Sequence, residues 1–215
     1  MDRTRTGSDG VNGLEMATAE RVDLAEFLAT LTPEQWEAAS LCEGWRVRDV
    51  VAHVMSFDDV TLFGMLRRAV HARFVDVNQV GVDELASLDT TELLDRLMAR
   101  LRPQGLAKAF GGRLALLDAT IHHQDIRRPL GRLRDIPADR LRCVLHDAVL
   151  SPELPGWRLA RGVCLRPTDL DWSHGSGPEV IGPAEAVLMT ITGRASVITE
   201  LSGAGVTVVA ARLAR

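Results

Sequence analysis

The sequence predicts a mainly α protein, an all-α helical bundle running to about residue 150 and then a small α+β domain. Three observations carry this. Apolar residues recur at three- and four-residue intervals through the first two thirds of the chain. The run Ser151-Pro152-Glu153-Leu154-Pro155-Gly156 then interrupts the pattern as a linker does. Beyond it, short apolar segments alternate with turn residues, as small strands do.

Taken in order, the polar stretch 1–13 is expected to be a disordered lead-in. Met16, Val22, Leu24, Leu28 and Leu31 share one face of a first helix over Leu14 to Leu31. Thr32-Pro33-Glu34-Gln35 has the chemistry of a helix start: a threonine cap, proline at the first position and glutamine at the capping-box position. A second long helix is expected from Val47 towards Val70, and a third over Thr90 to Leu101 with Leu93, Leu94, Leu97 and Leu101 in register. Gly111-Gly112 breaks the chain before a fourth, Arg113 to Arg128, which Pro129 and Gly131 stop. Pro137 opens a further helix with Leu141, Val144, Leu145 and Val149 apolar.

After the linker, Trp157, Leu159, Gly162-Val163, Leu165 and the run 169–172 are expected as short strands, and 173–178 as a turn-rich loop. Pro183 to Gly193 reads as a helix and Gly203 to Leu213 as a strand or helix. The expected division is therefore 1–13 lead-in, 14–150 helical bundle and 157–215 α+β domain. The last piece is too short to be comfortably stable alone, so it is expected to dock on the bundle.

A net charge of −4 removes the electrostatic reason to expect nucleic acid or an anionic membrane as partner. No apolar run approaches the ~20 residues that cross a bilayer. The polar start lacks the apolar stretch of a secretory signal, which makes a cytoplasmic protein the expectation. Lys108 is the only lysine among many arginines, a bias that fits G+C-rich coding better than any functional demand. Cys42, Cys143 and Cys164 are odd in number and widely spaced, against both a disulfide framework and a zinc ribbon. The sequence holds no GxSxG, GxGxxG or GxxxxGK[ST] motif, which removes the corresponding hydrolase, dinucleotide and P-loop readings.

The residues that point to chemistry are His53, Asp118 and His122. Asp118 and His122 lie four apart and so one turn apart on one helix face. His53 shares a helix face with Val47, Val50, Val51 and Val54 and turns inward with them. Two imidazoles and a carboxylate inside a bundle make a three-donor site for zinc or a similar ion, with a coordination position left open for water or substrate. Each part has an ordinary alternative: His53 as a hydrogen-bonded core residue, Asp118 with His122 as a surface pair. His123 projects about 100° away around the helix and cannot share that ion. Asp125 flanks the same face as His122 and either orients its imidazole or pairs with Arg128. Cys42, near the start of the His53 helix, is either a thiol of lowered pKa or a small packed residue. His71, His146 and His174 have no clustered partners in the sequence.

With both histidine segments placed, a resemblance becomes specific. Residues 42–54, CEGWRVRDVVAHV, resemble the helix-start motif of the mycothiol-dependent maleylpyruvate isomerase family, part of the DinB-like metalloprotein superfamily. There a tryptophan and an Asp-x-x-x-His run precede the first metal histidine, matched here by Trp45, Asp49 and His53. Residues 118–131, DATIHHQDIRRPLG, resemble the second motif, and the tail from Asp169 resembles the C-terminal domain of these proteins. The resemblance implies a DinB-like four-helix bundle in which His53, Asp118 and His122 hold a divalent metal, usually zinc. Asp118 stands where the family commonly has glutamate. It implies mycothiol or a similar thiol as co-substrate and a small electrophilic substrate, in a metal- and thiol-dependent isomerase or S-transferase. A cation must hold a substrate carboxylate in such an enzyme, and Arg194 is the candidate catalytic residue. The competing expectations are a non-catalytic metal-binding relative, such as a sensor or interaction module, and a bundle without metal.

Overall fold

The computed structural model describes residues 6–71 and 77–214, which divide into two compact units, one ending at Leu133 and one beginning at Arg134. In the first unit α1 spans Thr6–Leu28, α2 Pro33–Trp36, α3 Val47–Met55, α4 Leu62–His71, α5 Val77–Asp83, α6 Thr90–Met98 and α7 Arg113–Arg127. A 3₁₀ segment, Gly105–Gly112, leads into α7. The bundle is the ring α1–α7–α3–α6, in which α1 and α3 each pack on both α6 and α7.

The expected apolar faces make its core. Leu24 and Leu28 of α1, Val47, Val50, Val51 and Val54 of α3, Leu93 and Leu97 of α6, and Ala119 and Ile126 of α7 form one buried cluster. Each large aliphatic side chain so buried contributes about 1.5–3 kcal/mol. Helix starts are fixed locally. Thr32 Oγ1 accepts the Gln35 N–H while Gln35 Oε1 accepts the Thr32 N–H, and Asp89 with Glu92 does the same for α6.

Three differences from the sequence expectations have physical causes. The stretch expected as a lead-in is helical from Thr6, and residues 1–5 lie outside those described. The helix expected from Val47 to Val70 is broken after Met55, because Asp58 is drawn into the bundle. Its carboxylate accepts Arg21 Nη1 at 2.8 and 3.0 Å and the Gln104 N–H at 3.0 Å. Arg21 also donates to the Arg100 and Val54 carbonyls. Burial outweighs these partners and leaves the Asp58 carboxyl above its ordinary value. The short helix α5 follows, an element the sequence pattern did not reveal.

Two glycines make close approaches that admit no side chain. Gly105 (φ +51) would place a Cβ 2.3 Å from the Asp58 carbonyl oxygen, and Gly112 (φ +81), the N-cap of α7, would place one 2.6 Å from Leu14 Cα. Gly112 thereby lets α7 lie directly against α1.

The second unit holds α8 (Ala138–Leu150), α9 (Gly156–Leu159), α10 (Ala184–Ile191) and α11 (Val206–Leu213). Its sheet has the order β2-β1-β3, from β1 (Cys164–Pro167), β2 (His174–Gly175) and β3 (Glu179–Gly182). β1 runs antiparallel to β2, with Leu165 opposite His174, and parallel to β3, with Leu165 opposite Val180. α10 covers this sheet and α8 packs on α10. The helix α8, expected as the end of the bundle, thus belongs to the second compact unit. Trp157 and Leu159, expected in a strand, lie in α9, and the run 169–172 is a bend. The whole is mainly α with a small α+β C-terminal part.

Candidate metal centre

His53 is placed by α3. The valines of that helix pack into the core, and His53, on the same side, is 4% exposed. The start of α3 is held by Asp49, whose carboxylate accepts both the Arg46 backbone N–H and its guanidinium at 2.9 Å. Trp45 lies against the His53 ring with centroids 5.1 Å apart, and Phe57 meets it edge-on at 5.6 Å. The Trp45 indole N–H donates to Gln79 Oε1 of α5 at 2.8 Å, which fixes that wall of the site. His53 Nδ1 is buried and has no hydrogen-bond partner among the described residues.

α7 supplies Asp118, His122 and Asp125 at intervals of four and three residues, one face of the helix. Asp118 Oδ1 lies 3.3 Å from His53 Nε2 and 3.4 Å from His122 Nε2. The two imidazoles meet edge to face with centroids 4.7 Å apart. On the far side of His122, its Nδ1 lies 2.9 Å from Oδ2 of the fully buried Asp125. Asp125 therefore accepts the Nδ1–H, and Nε2 is the nitrogen that faces Asp118 and His53.

The electrostatics favour added positive charge. Burial would raise the Asp118 carboxyl, but the His53 and His122 imidazoles outweigh it and hold the group well below the carboxylate range. Burial would likewise lower His122; the Asp118 charge, with hydrogen bonds from Asp118, Asp125 and Cys42, raises it well above its ordinary value. A cation between the rings meets the same field as that proton.

The donor set suits a divalent ion. A tetrahedral ion with metal–N and metal–O bonds of about 2.0–2.1 Å separates neighbouring donors by about 3.3–3.4 Å. The two Asp118 contacts have that length, and the three donor atoms all lie within 4.8 Å of one another. The shorter aspartate thus reaches both imidazoles from its own helix.

The structure therefore brings His53, Asp118 and His122 together as the sequence spacing suggested, with Asp125 beside His122. His123 points to the other side of α7, fully buried, between Glu20 Oε1 at 2.9 Å and Arg127 Nε at 2.8 Å. Arg194 lies in the second unit, where its Nη1 donates to the Thr192 carbonyl at 2.7 Å. His174 stacks on Trp172. Two neighbours of the site are joined to it by contacts that the sequence pattern does not announce. Gln79 lies on the unforeseen α5. Cys42 Sγ lies 3.2 Å from Asp125 Oδ2 and 3.5 Å from His122 Nδ1. The Leu41 N–H donates to the Asp125 carbonyl at 3.0 Å and brings the thiol there, a link between distant parts of the chain that no local pattern announces.

A helical bundle followed by a small α+β part is the DinB-like fold. Residues 17–103 match the family model of the mycothiol maleylpyruvate isomerase N-terminal domain. The match includes His53 and ends before α7. Two solved structures share the fold. A crystal structure of the mycothiol-dependent maleylpyruvate isomerase is 16% identical, with TM-score 0.60, and the alignment covers 90% of this chain and 92% of that one. A mutant of the same enzyme has TM-score 0.59 at the same identity and coverage. A comparison with curated proteins finds no match. Among the described residues no helix is long and apolar enough to cross a membrane.

Proposed function

We propose that the chain is a thiol-dependent isomerase whose site is built on a divalent ion, zinc being the best fit, held by His53 Nε2, Asp118 and His122 Nε2. The observation that carries this reading is the convergence of three donors within 4.8 Å of one another, with Asp118 Oδ1 at tetrahedral spacing from each imidazole nitrogen and Asp125 holding the far side of the His122 ring. The family of residues 17–103 supplies the thiol, mycothiol or a relative, as co-substrate. When bound, a divalent ion supplies a lowered pKa for a thiol beside it and thus a nucleophile at neutral pH.

The rest is done by this chain's residues. Asp125 fixes the His122 tautomer by accepting its Nδ1–H. Trp45 and Phe57 wall His53 and keep bulk water from that side. Asp118, about a quarter exposed, marks the open side from which thiol and substrate enter. The reaction that suits such a site is addition of the thiol sulfur across an activated double bond, rotation about the resulting single bond, and loss of the thiol. Release of the adduct instead would make the enzyme an S-transferase.

The test is metal content by mass spectrometry on protein purified without tag or chelator, then thiol titration of the cobalt-substituted protein. About one equivalent of metal, a cobalt spectrum altered by thiol, and loss of both in His53→Ala are expected. Metal that ignores thiol would refute the catalytic reading in favour of a metal-binding protein without this chemistry. A His53→Ala protein that keeps its metal would refute the ligand assignment.

A further inference from the structure

His122 presents a second set of donors on its other nitrogen. Cys42 Sγ, His122 Nδ1 and Asp125 Oδ2 form a triangle whose three sides are all short: 3.5 Å from sulfur to nitrogen, 3.2 Å from sulfur to oxygen and 2.9 Å from nitrogen to oxygen. We propose that this triangle is a second cation position, a site for one thiophilic divalent ion of the zinc and cadmium class, on the side of the His122 ring opposite Asp118.

The geometry fits such an ion. With metal–sulfur bonds of about 2.3 Å and metal–N and metal–O bonds of about 2.0–2.1 Å, a tetrahedral ion spaces sulfur from nitrogen or oxygen by about 3.5 Å and nitrogen from oxygen by about 3.3 Å. Each observed side is within about 0.4 Å of these values, so an ion enters by small outward shifts rather than by rebuilding. The donors are held in advance. Asp125 is fully buried on α7, the Leu41 N–H donates to its carbonyl at 3.0 Å, and Ser40 Oγ accepts the Cys42 N–H at 3.0 Å. Those bonds fix the Cys42 loop on the helix whether or not a cation is present.

The chemistry separates the two positions. His53, Asp118 and His122 offer nitrogen and oxygen, whereas the second set includes a thiolate and selects soft, thiophilic ions over magnesium or manganese. Entry of the ion releases the Cys42 thiol proton and the His122 Nδ1 proton, so the second position is the weaker of the two. It also competes for the hydrogen bond by which Asp125 orients His122. Filling it therefore alters the first position, and excess thiophilic metal acts against the site that one equivalent completes. In the absence of a cation the same three groups form a hydrogen-bonded cluster in which Cys42 and His122 both donate to Asp125.

The experiment is cadmium titration of the metal-free protein in thiol-free buffer, with bound metal counted by mass spectrometry and thiolate coordination read from the ultraviolet thiolate-to-cadmium absorption. Two equivalents are expected in the unaltered protein, the second alone bringing the thiolate band. His53→Ala should bind one equivalent with the band, and Cys42→Ser should keep one equivalent without it. Asp125→Asn, a second variant with the thiol intact, should weaken the band-forming step. A band that persists in Cys42→Ser would place the ion on Cys143 or Cys164 and overturn the inference, as would a helical His53→Ala protein that binds no cadmium. Loss of only the first, band-free equivalent would instead count against the proposed function and leave this second position standing.

Discussion

Replacing Asp125 by asparagine tests whether the site is built around the orientation of one imidazole. The Asp125 carboxylate lies 2.9 Å from His122 Nδ1 and is fully buried, so no water stands ready to replace it. Loss of such an outer partner typically costs 10–100-fold in metal affinity, or about 1.4–2.8 kcal/mol. Complete burial and a charged acceptor place the expected loss in the upper half of that range. Asparagine has the same shape and keeps a neutral hydrogen bond if its oxygen faces the ring. If its amide group turns to the ring instead, Nδ1 becomes the acceptor, the proton moves to Nε2, and the loss is larger. The assay is competition with a chromophoric chelator at no more than one equivalent of zinc, so that only the tightest position fills. A change in zinc affinity of less than about twofold, in a variant that keeps its helical spectrum, would refute this role, since even the weakest such partner is worth about tenfold.

Other consequences follow from the same contacts. In the metal-free protein both groups shift against burial: the His53 charge and then the His122 charge hold Asp118 below its ordinary value of 3.8, and the Asp118 charge holds His122 above its ordinary value of 6.5. Asp118 stabilises the fold above pH 3.8 and His122 below pH 6.5, so the pair contributes fully between them. Thermal midpoints of chelator-treated protein should therefore fall as pH rises above 6.5 towards the elevated His122 value. A midpoint that climbs over that range would contradict the pairing. Arg21→Met leaves the Asp58 carboxylate buried without its cation and should cost about 3–5 kcal/mol in urea unfolding, with a loss below 1 kcal/mol the contrary result. Arg194→Ala should leave metal content unchanged and, if Arg194 holds a substrate carboxylate, raise KM for carboxylate-bearing substrates; an unaltered KM would remove Arg194 from that role.

What the sequence made legible was what local spacing controls. The valines of α3 and the leucines of α6 announce buried faces, and the interval from Asp118 to His122 puts both groups on one side of α7. What it hid depends on partners far away in the chain. The break after Met55 follows from Arg21 drawing Asp58 inward, across 37 residues. α5 is only seven residues long and its valines carry no sustained period. In the second unit, His174–Gly175 lies in a turn-rich run and becomes a strand only because β1 pairs with it. Trp157 and Leu159 alternate like a strand, yet Pro155 and Gly156 start a helical turn whose Leu159 and Ala160 N–H groups return to their carbonyls. Cys42 stood near the start of the His53 helix in the sequence, but its place beside His122 depends on the backbone link from Leu41 to Asp125.

The adjacent histidines of α7 show why the first position can be held so closely. A helix turns 100° per residue, so one that buries most of its circumference has no apolar stripe to fix its rotation. α7 is such a helix: Leu116 and Leu117, Ala119 to Ile121, and His123 to Ile126 are all buried. Its rotation is set instead by polar groups on the side away from the site. Arg127 Nε–H donates to His123 Nε2, so the His123 proton sits on Nδ1 and is donated to Glu20 of α1. Arg127 in turn lies over the Phe27 ring at 3.8 Å. Glu20 and His123 are both fully buried, so a rotation that broke their bond would cost a buried hydrogen bond to a charged group, about 1.5–3 kcal/mol. The Glu20–His123–Arg127 chain ties α7 to α1 in the orientation that turns Asp118 and His122 towards His53 of α3, and so the second histidine of the pair helps to hold the first.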